Sequence, residues 1–454
     1  MDLTGKRVLV YGAGKSGIGA ADLLTSVGAH PILFDENENK TPESLTALLA
    51  CPEKAEGLVG VIPPEVAATL DLVVLSPGVP TDKPSVNALR DAGIRIWGEV
   101  ELAYQASRGR VLAVTGTNGK TTTTSLLGEI MADACPEVFV VGNIGNAYTG
   151  AALKTTEKST VVAEISSFQL ETIQDFHPIA SAILNITPDH LNRHHTMEEY
   201  IRVKECISMN QTKSDVCVLN YEDAELRAFA ERCSARVFFF SSERELKEGI
   251  FLDGREIVLR DGGNEIRVLN TEDLHLIGTH NFENVMAAVA MAYFAGVPME
   301  SIVKTTLAFH PVAHRIEYVD TKNGVVWYND SKGTNPDAAI KGIQAMKWPT
   351  LLIAGGYDKG SDYTDWIRSF DGKVRYLVLE GATRYDIQKA ALACGFPAEQ
   401  IVILDTMREA MDFCRENARP GDAVLLSPAC ASWGEFPNYE VRGDQFKDYV
   451  RKEV

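Results

Sequence analysis

The chain has 454 residues, 45% of them hydrophobic and 23% charged, and a formal net charge of −18 at pH 7. That length is too great for one ordinary core, so two to four domains are expected. The acidic balance excludes nucleic acid or an anionic membrane as the main partner, because phosphate contacts need clustered Lys and Arg, but it leaves room for a locally basic pocket.

Strand-like and helix-like segments alternate nearly throughout, which predicts an α/β protein with mostly parallel sheets. The first region opens with a strand at Arg7–Val10, the glycine set Gly12-x-Gly14-x-x-Gly17 and a helix to about Val27. A strand over Pro31–Phe34 ends at Asp35, eighteen residues after Gly17, and another at Leu72–Leu75 runs into Ser76-Pro77-Gly78. This is a Rossmann-like unit in which Asp35 stands near the place of a ribose-binding acid. By itself the set could bind NAD or another nucleotide, or serve tight strand–helix packing.

A second region starts near Glu99. Its strand Val111–Val114 leads into Thr115-Gly116-Thr117-Asn118-Gly119-Lys120-Thr121-Thr122 and a helix over 122–132. Glycines let backbone N–H groups approach a phosphate, and a helix N-terminus favours negative charge. Lys120 is placed to reach the outer phosphates of ATP, and the Thr121 hydroxyl suits Mg²⁺. The general phosphate-loop pattern has a glycine five residues before Gly119, where Val114 stands. Asn143 lies in Gly142-Asn143-Ile144-Gly145, where its amide either meets a ligand or occupies a left-handed turn. Glu164 ends the strand Val161–Glu164, a placement suited to Mg²⁺ or its waters. Asp189-His190 and His194-His195 follow a strand over Ala182–Asn185 without zinc spacing. A helix rich in small residues covers 284–295.

The third region begins near Pro311, with strands at Val325–Tyr328, Leu351–Ala354, Tyr376–Leu379 and Ala423–Leu426. Three polar loops follow strand ends here: 329–335, 355–359 and 427–432. An open α/β sheet puts its ligand crevice at such ends. No repeat, low-complexity tract or flexible linker is visible. The eight cysteines are scattered without a CxxC pair and read as reduced, mostly buried thiols. No signal peptide or membrane-length apolar run is seen, and a cytoplasmic location is expected.

Together these residues resemble the Mur ligases, ATP-dependent enzymes of peptidoglycan precursor synthesis. Thr115–Thr121 matches the family's own phosphate loop, a variant of the general pattern that accounts for Val114. Glu164-Ile165-Ser166-Ser167-Phe168-Gln169-Leu170-Glu171, Asn329–Asn335 and Leu426–Ser432 resemble the branch that adds D-glutamate, while His280-Asn281-x-x-Asn284 and His314-Arg315-x-Glu317 are shared more widely. The resemblance spans the whole chain, with one small departure: Asn192 stands where relatives commonly carry aspartate.

The resemblance implies three domains, Rossmann-like at 1–98, ATP-binding at 99–311 and Rossmann-like, amino-acid-binding at 312–454. It implies ligation of D-glutamate to UDP-N-acetylmuramoyl-L-alanine through an acyl phosphate, by a cytoplasmic monomer without nucleic-acid or membrane partners. Gly14, Lys15, Ser16, Gly17, Asp35, Ser76, Asn143 and His190 would meet the UDP substrate. Gly116, Thr117, Asn118, Gly119, Lys120, Thr121, Thr122, Asn281, Arg315, Asp330 and Lys332 would hold ATP. Thr121, Glu164, His190 and Lys204 would hold two Mg²⁺ ions, with Lys204 carbamylated by CO2. Lys120, Glu164, His190 and Lys204 would be the catalytic set. Thr334, Lys359, Ser432 and Tyr439 would receive D-glutamate. Without the resemblance, Lys204 reads as a surface helix lysine. Three rivals stand beside this reading: an NAD-dependent dehydrogenase, which leaves Lys120 idle, a nucleotide sensor without turnover, and a sister ligase adding another amino acid.

Overall fold

Three sheets organise the chain in a computed structural model that describes residues 2–310, 313–357 and 360–454. The first contains β1 (Arg7–Tyr11), β2 (His30–Asp35), β3 (Glu56–Val59), β4 (Leu72–Leu75) and β5 (Arg95–Gly98), in the order β3-β2-β1-β4-β5 and wholly parallel. Val8, Leu9 and Val10 are buried on both faces of β1, as a central parallel strand requires. The helix Lys15–Ser26 follows directly. At Gly17 a Cβ would fall 1.8 Å from the Gly12 carbonyl oxygen, so only glycine lets this helix sit on the strand end.

The second sheet contains β6 (Arg110–Thr115), β7 (Val138–Gly142), β8 (Thr160–Glu164), β9 (Ala180–Ile183), β10 (Val216–Asn220), β11 (Arg236–Ser241), β12 (Gly249–Asp253), β13 (Glu256–Asp261) and β14 (Asn264–Asn270). Its order is β14-β13-β12-β11-β10-β9-β6-β8-β7, parallel from β7 through β12. The pairs β12–β13 and β13–β14 are antiparallel. The strand expected at Ala182–Asn185 runs two residues earlier, since residues 184–187 bend away to meet the phosphate loop: Thr117 N donates to the Asn185 carbonyl at 2.9 Å.

The third sheet contains β15 (Glu317–Lys322), β16 (Val325–Asn329), β17 (Thr350–Gly355), β18 (Val374–Glu380), β19 (Ile401–Ile403) and β20 (Ala423–Leu426), in the order β15-β16-β20-β17-β18-β19. Only the edge pair β15–β16 is antiparallel. By compactness, residues 1–273 and 283–307 form one unit and residues 274–282 and 308–454 another. The first two sheets share the first unit and the third sheet lies in the second. The helix expected from Asn284 starts at Thr279, so His280 and Asn281 belong to its first turn. The cysteines are all free, but only Cys217, Cys414 and Cys430 are buried, fewer than the composition suggested.

Candidate functional site

In the first unit, the carboxyl ends of the first two sheets open onto one cleft of about 700 Å³. Gly14, Lys15, Ser16, Asp35 and Ser76 line it from the first sheet, and Thr117, Lys120, Asn143, Asp189, His190 and Lys204 from the second. The fold thus brings together two residue sets that come from separate stretches of the chain.

On the first side, Ser76 Oγ donates to the Gly12 carbonyl at 2.8 Å, tying β4 to the glycine loop. Asp35 pairs with Lys40 at 2.6 Å. Burial pushes the Asp35 carboxyl up, but the Lys40 hydrogen bond and the Asn37 N–H outweigh it and hold it below the usual range.

On the second side, Gly119 caps the helix Lys120–Ala134 in the left-handed conformation, φ 87°, and a Cβ there would meet Asn284 Oδ1 at 2.2 Å. Thr121 and Thr122 are buried in the first helical turn. Asn118 N donates to Asn185 Oδ1 at 2.8 Å, bracing the loop. Lys120 folds back so that Nζ donates to the carbonyls of Gly116, 2.9 Å, and Thr117, 2.8 Å.

Lys204 corrects the reading made from local sequence. It is 1% exposed on the helix Met197–Glu205, not a surface residue. Its Nζ donates to the Gly116 carbonyl at 2.8 Å and stands 4.6 Å from the centre of the Tyr200 ring. Burial, then the neighbouring Lys120, holds this amine well below the usual lysine range, with Asp189 opposing.

Asn143 is resolved in favour of a side-chain role. The left-handed positions fall to Gly142 and Gly145, while the Asn143 amide donates to Glu164 Oε1 at 2.8 Å. Glu164 is 1% exposed, and its Oε2 is buried with no hydrogen-bond partner. His190 adopts φ 53°, with Nε2 3.5 Å from Asp189 Oδ2 and its ring 4.8 Å from that of Phe168. His194 is a core residue bonded to Ser167 Oγ at 3.0 Å, and His195 is exposed beside Asp82.

A buried carboxylate oxygen without a donor suits a hard cation, so Glu164 fits Mg²⁺. Among the described residues no group of three or more His, Cys, Asp and Glu could hold a metal.

In the second unit, Asp330 is buried, accepting from Ser427 Oγ at 2.7 Å and Ile316 N at 3.3 Å. Burial raises its carboxyl to about 6, against Ser427 and Arg315. Lys332 Nζ stands 5.5 Å from the Tyr439 ring centre, and Thr334 N donates to the Lys332 carbonyl at 2.9 Å. Asn281 Nδ2 donates to the Ile277 carbonyl at 2.8 Å. Arg315 Nε is buried without a partner. Ser432 lines a separate cavity of about 350 Å³ with Tyr357, Glu380, Arg384, Glu435 and Arg442. Lys359 lies outside the described residues.

A phosphate-loop-type turn and a dinucleotide-type glycine loop open onto one cleft of an α/β protein, the pattern of a nucleotide-using enzyme. Family profiles cover nearly all of it: the Mur ligase MurD-like N-terminal domain at residues 6–98, the Mur ligase middle domain at 114–292 and the Mur ligase glutamate ligase domain at 314–430. The chain belongs to the Mur ligase family. It is 55% identical to UDP-N-acetylmuramoylalanine–D-glutamate ligases of Lachnospira eligens and Lachnoclostridium phytofermentans, with 99% of each chain covered. It is 46% identical to the same-named protein of Clostridioides difficile, again with 99% of each chain covered. The fold matches MurF of Acinetobacter baumannii, with a TM-score of 0.61 at 18% identity over 98% of this chain and 93% of that one. It also matches the UDP-N-acetylmuramate-alanine ligase MurC of Thermotoga maritima, with a TM-score of 0.60 at 17% identity over 99% of this chain and 100% of that one.

Proposed function

We propose that the chain joins D-glutamate to UDP-N-acetylmuramoyl-L-alanine at the expense of ATP, a step of peptidoglycan precursor synthesis. The observation that carries this is the cleft that sets Ser16 and Ser76 beside Lys120, Asn143, His190 and Lys204. A dehydrogenase has no use for the second half of it, and full-length identity to D-glutamate ligases sets the sister activities aside. Residues 1–98 bind the UDP part, 99–311 carry the phosphate loop and 312–454 serve the amino acid. The enzyme works as a cytoplasmic monomer. Among the described residues no helix is long and apolar enough to cross a membrane.

The substrate carboxylate attacks the γ-phosphate of ATP, giving an acyl phosphate and ADP. The D-glutamate amine then adds to the acyl carbon, and phosphate leaves from the tetrahedral intermediate. The physical obstacle is two anions meeting. Lys120 and the helix N-terminus at residues 119–121 neutralise the phosphates, releasing the hydrogen bonds that Lys120 makes to its own loop. Glu164, Thr121, His190 and a modified Lys204 would hold Mg²⁺, which supplies further charge neutralisation when bound. As an ammonium, Lys204 would repel such ions. As a neutral amine it adds to CO2, forming an N–C bond and releasing a proton, and the carbamate offers hard anionic oxygens. Asn143 orients Glu164 and, with His190, faces the UDP substrate.

Asn281, Arg315, Asp330 and Lys332 are assigned to ATP. Thr334, Lys359, Ser432 and Tyr439 are assigned to D-glutamate. Phosphate release measured with each substrate omitted in turn tests the proposal: release must require ATP, the UDP substrate and the amino acid together. Release with ATP alone, or hydride transfer to a nicotinamide, would refute it.

A further inference from the structure

Arg442, on the helix Tyr439–Glu453, is a fully buried cation to which the reaction above gives no task. Its guanidinium stitches together loops that follow different strands. Nε donates to Ser331 Oγ at 2.9 Å, and Nη2 to the carbonyls of Ser331, 2.8 Å, and Cys430, 3.3 Å. Ser331 Oγ in turn donates to the Tyr439 carbonyl at 2.9 Å. The third loop comes close as well: a Cβ on Gly356 would lie 3.4 Å from Nη1. One side chain therefore ties together the loops after β16 and β20, with the loop after β17 packed beside it.

Packing alone gives no reason for an arginine there. The same helix face buries Phe446, Tyr449 and Val450, and an apolar residue would avoid desolvating a charge. The desolvation is real: burial lowers the guanidinium to about 10, with Glu380 the main opposing charge. What arginine supplies is a planar fork that bonds several carbonyl and hydroxyl oxygens at fixed angles.

We propose that Arg442 is a positioning residue for the amino-acid substrate, holding the segments 331–334 and 430–432 in mutual register. This deepens the D-glutamate assignment of Thr334 and Ser432 and rests on it. Ser432 and Arg442 line the same cavity. Asp330 takes its hydrogen bonds from Ser427 and Ile316 rather than from the guanidinium, which reaches it only through charge.

The test is the steady-state kinetics of Arg442→Lys, with each substrate varied in turn and the thermal midpoint measured alongside. A lysine keeps the charge and loses the fork. The Michaelis constant for D-glutamate should rise about tenfold or more, the scale of lost charge-assisted hydrogen bonds. That for the UDP substrate should stay within about twofold, and that for ATP should rise less than that for D-glutamate, because Lys332 shares the 331–334 segment. If Arg442→Lys does not fold, Ser331→Ala decides, since it removes the Nε acceptor and the Tyr439 link without touching charge. An unchanged constant for D-glutamate, or an equal rise for all three substrates, would overturn the proposal. An inactive wild-type enzyme would instead strike the D-glutamate reading itself.

Discussion

Lys120 and Lys204 converge on one acceptor, the Gly116 carbonyl oxygen, at 2.9 and 2.8 Å. Burial is the main reason that Lys204 is driven toward the neutral amine, and the repulsion between two ammonium groups on one carbonyl adds to it. A neutral amine beside a phosphate loop is the nucleophile that carbamylation requires.

Lys120→Ala should abolish turnover while leaving binding of the UDP substrate nearly intact, because Ser16, Asp35 and Ser76 stand on the other sheet. The loss in kcat should reach about a hundredfold or more, from ~2.7 kcal/mol of lost stabilisation. Turnover near the wild-type rate would contradict the phosphate-loop assignment. Titration calorimetry with the UDP substrate checks the binding half.

Lys204→Ala should be nearly inactive and partly restored by short carboxylic acids, which supply the missing oxygens. Intact mass of the wild type in bicarbonate should show the added CO2. The signs of its pH effects follow from the depressed amine. Below the ordinary lysine value of 10.5 the unfolded chain binds a proton that the folded chain refuses. In CO2-free buffer, wild-type stability should therefore rise with pH toward that value, while Lys204→Met shows no such rise and melts higher at neutral pH. Parallel stability–pH curves for the two proteins would refute the buried neutral amine.

Much of this site was legible beforehand, because glycine loops and acids at strand ends follow from local pattern. Lys204 was legible in principle: Tyr200, Val203, Lys204 and Ile207 share one helix face and are all buried. A lysine within such a stripe signals a buried charge, but its long polar side chain invited the solvent reading. Arg442 repeats the lesson beside Phe446, Tyr449 and Val450. The β12–β14 hairpins carried their own signal in Asp253-Gly254 and Asp261-Gly262, the dipeptides that favour tight antiparallel turns. The early start of the helix at Thr279 was not legible, since its polar first residues read as loop; Asn281 donates back to the Ile277 carbonyl just before the helix.

Asn143→Ala should raise the Mg²⁺ concentration needed for half-maximal activity by about 10–100-fold, the usual result of removing a partner that orients a metal-binding carboxylate. The motivation is the 2.8 Å bond to Glu164 Oε1, which leaves Oε2 as the free oxygen. An unchanged Mg²⁺ requirement, with only the UDP-substrate constant raised, would make Asn143 a substrate residue alone.

Lys359→Ala should raise the Michaelis constant for D-glutamate by roughly tenfold to over a hundredfold, the worth of a hydrogen bond to a charged group. This rests on the sequence resemblance. An effect confined to ATP would move Lys359 to the nucleotide.

The central claim is the choice of amino acid. Phosphate release should be measured with ATP, Mg²⁺ and UDP-N-acetylmuramoyl-L-alanine against D-glutamate, L-glutamate, L-alanine and L-lysine, with the product identified by mass. The account predicts rapid release and a glutamyl adduct with D-glutamate and poor use of the others: inversion stops L-glutamate from seating both carboxylates and the amine together, and L-alanine and L-lysine lack the second carboxylate. Equal use of L- and D-glutamate, or preference for alanine or lysine, would contradict it.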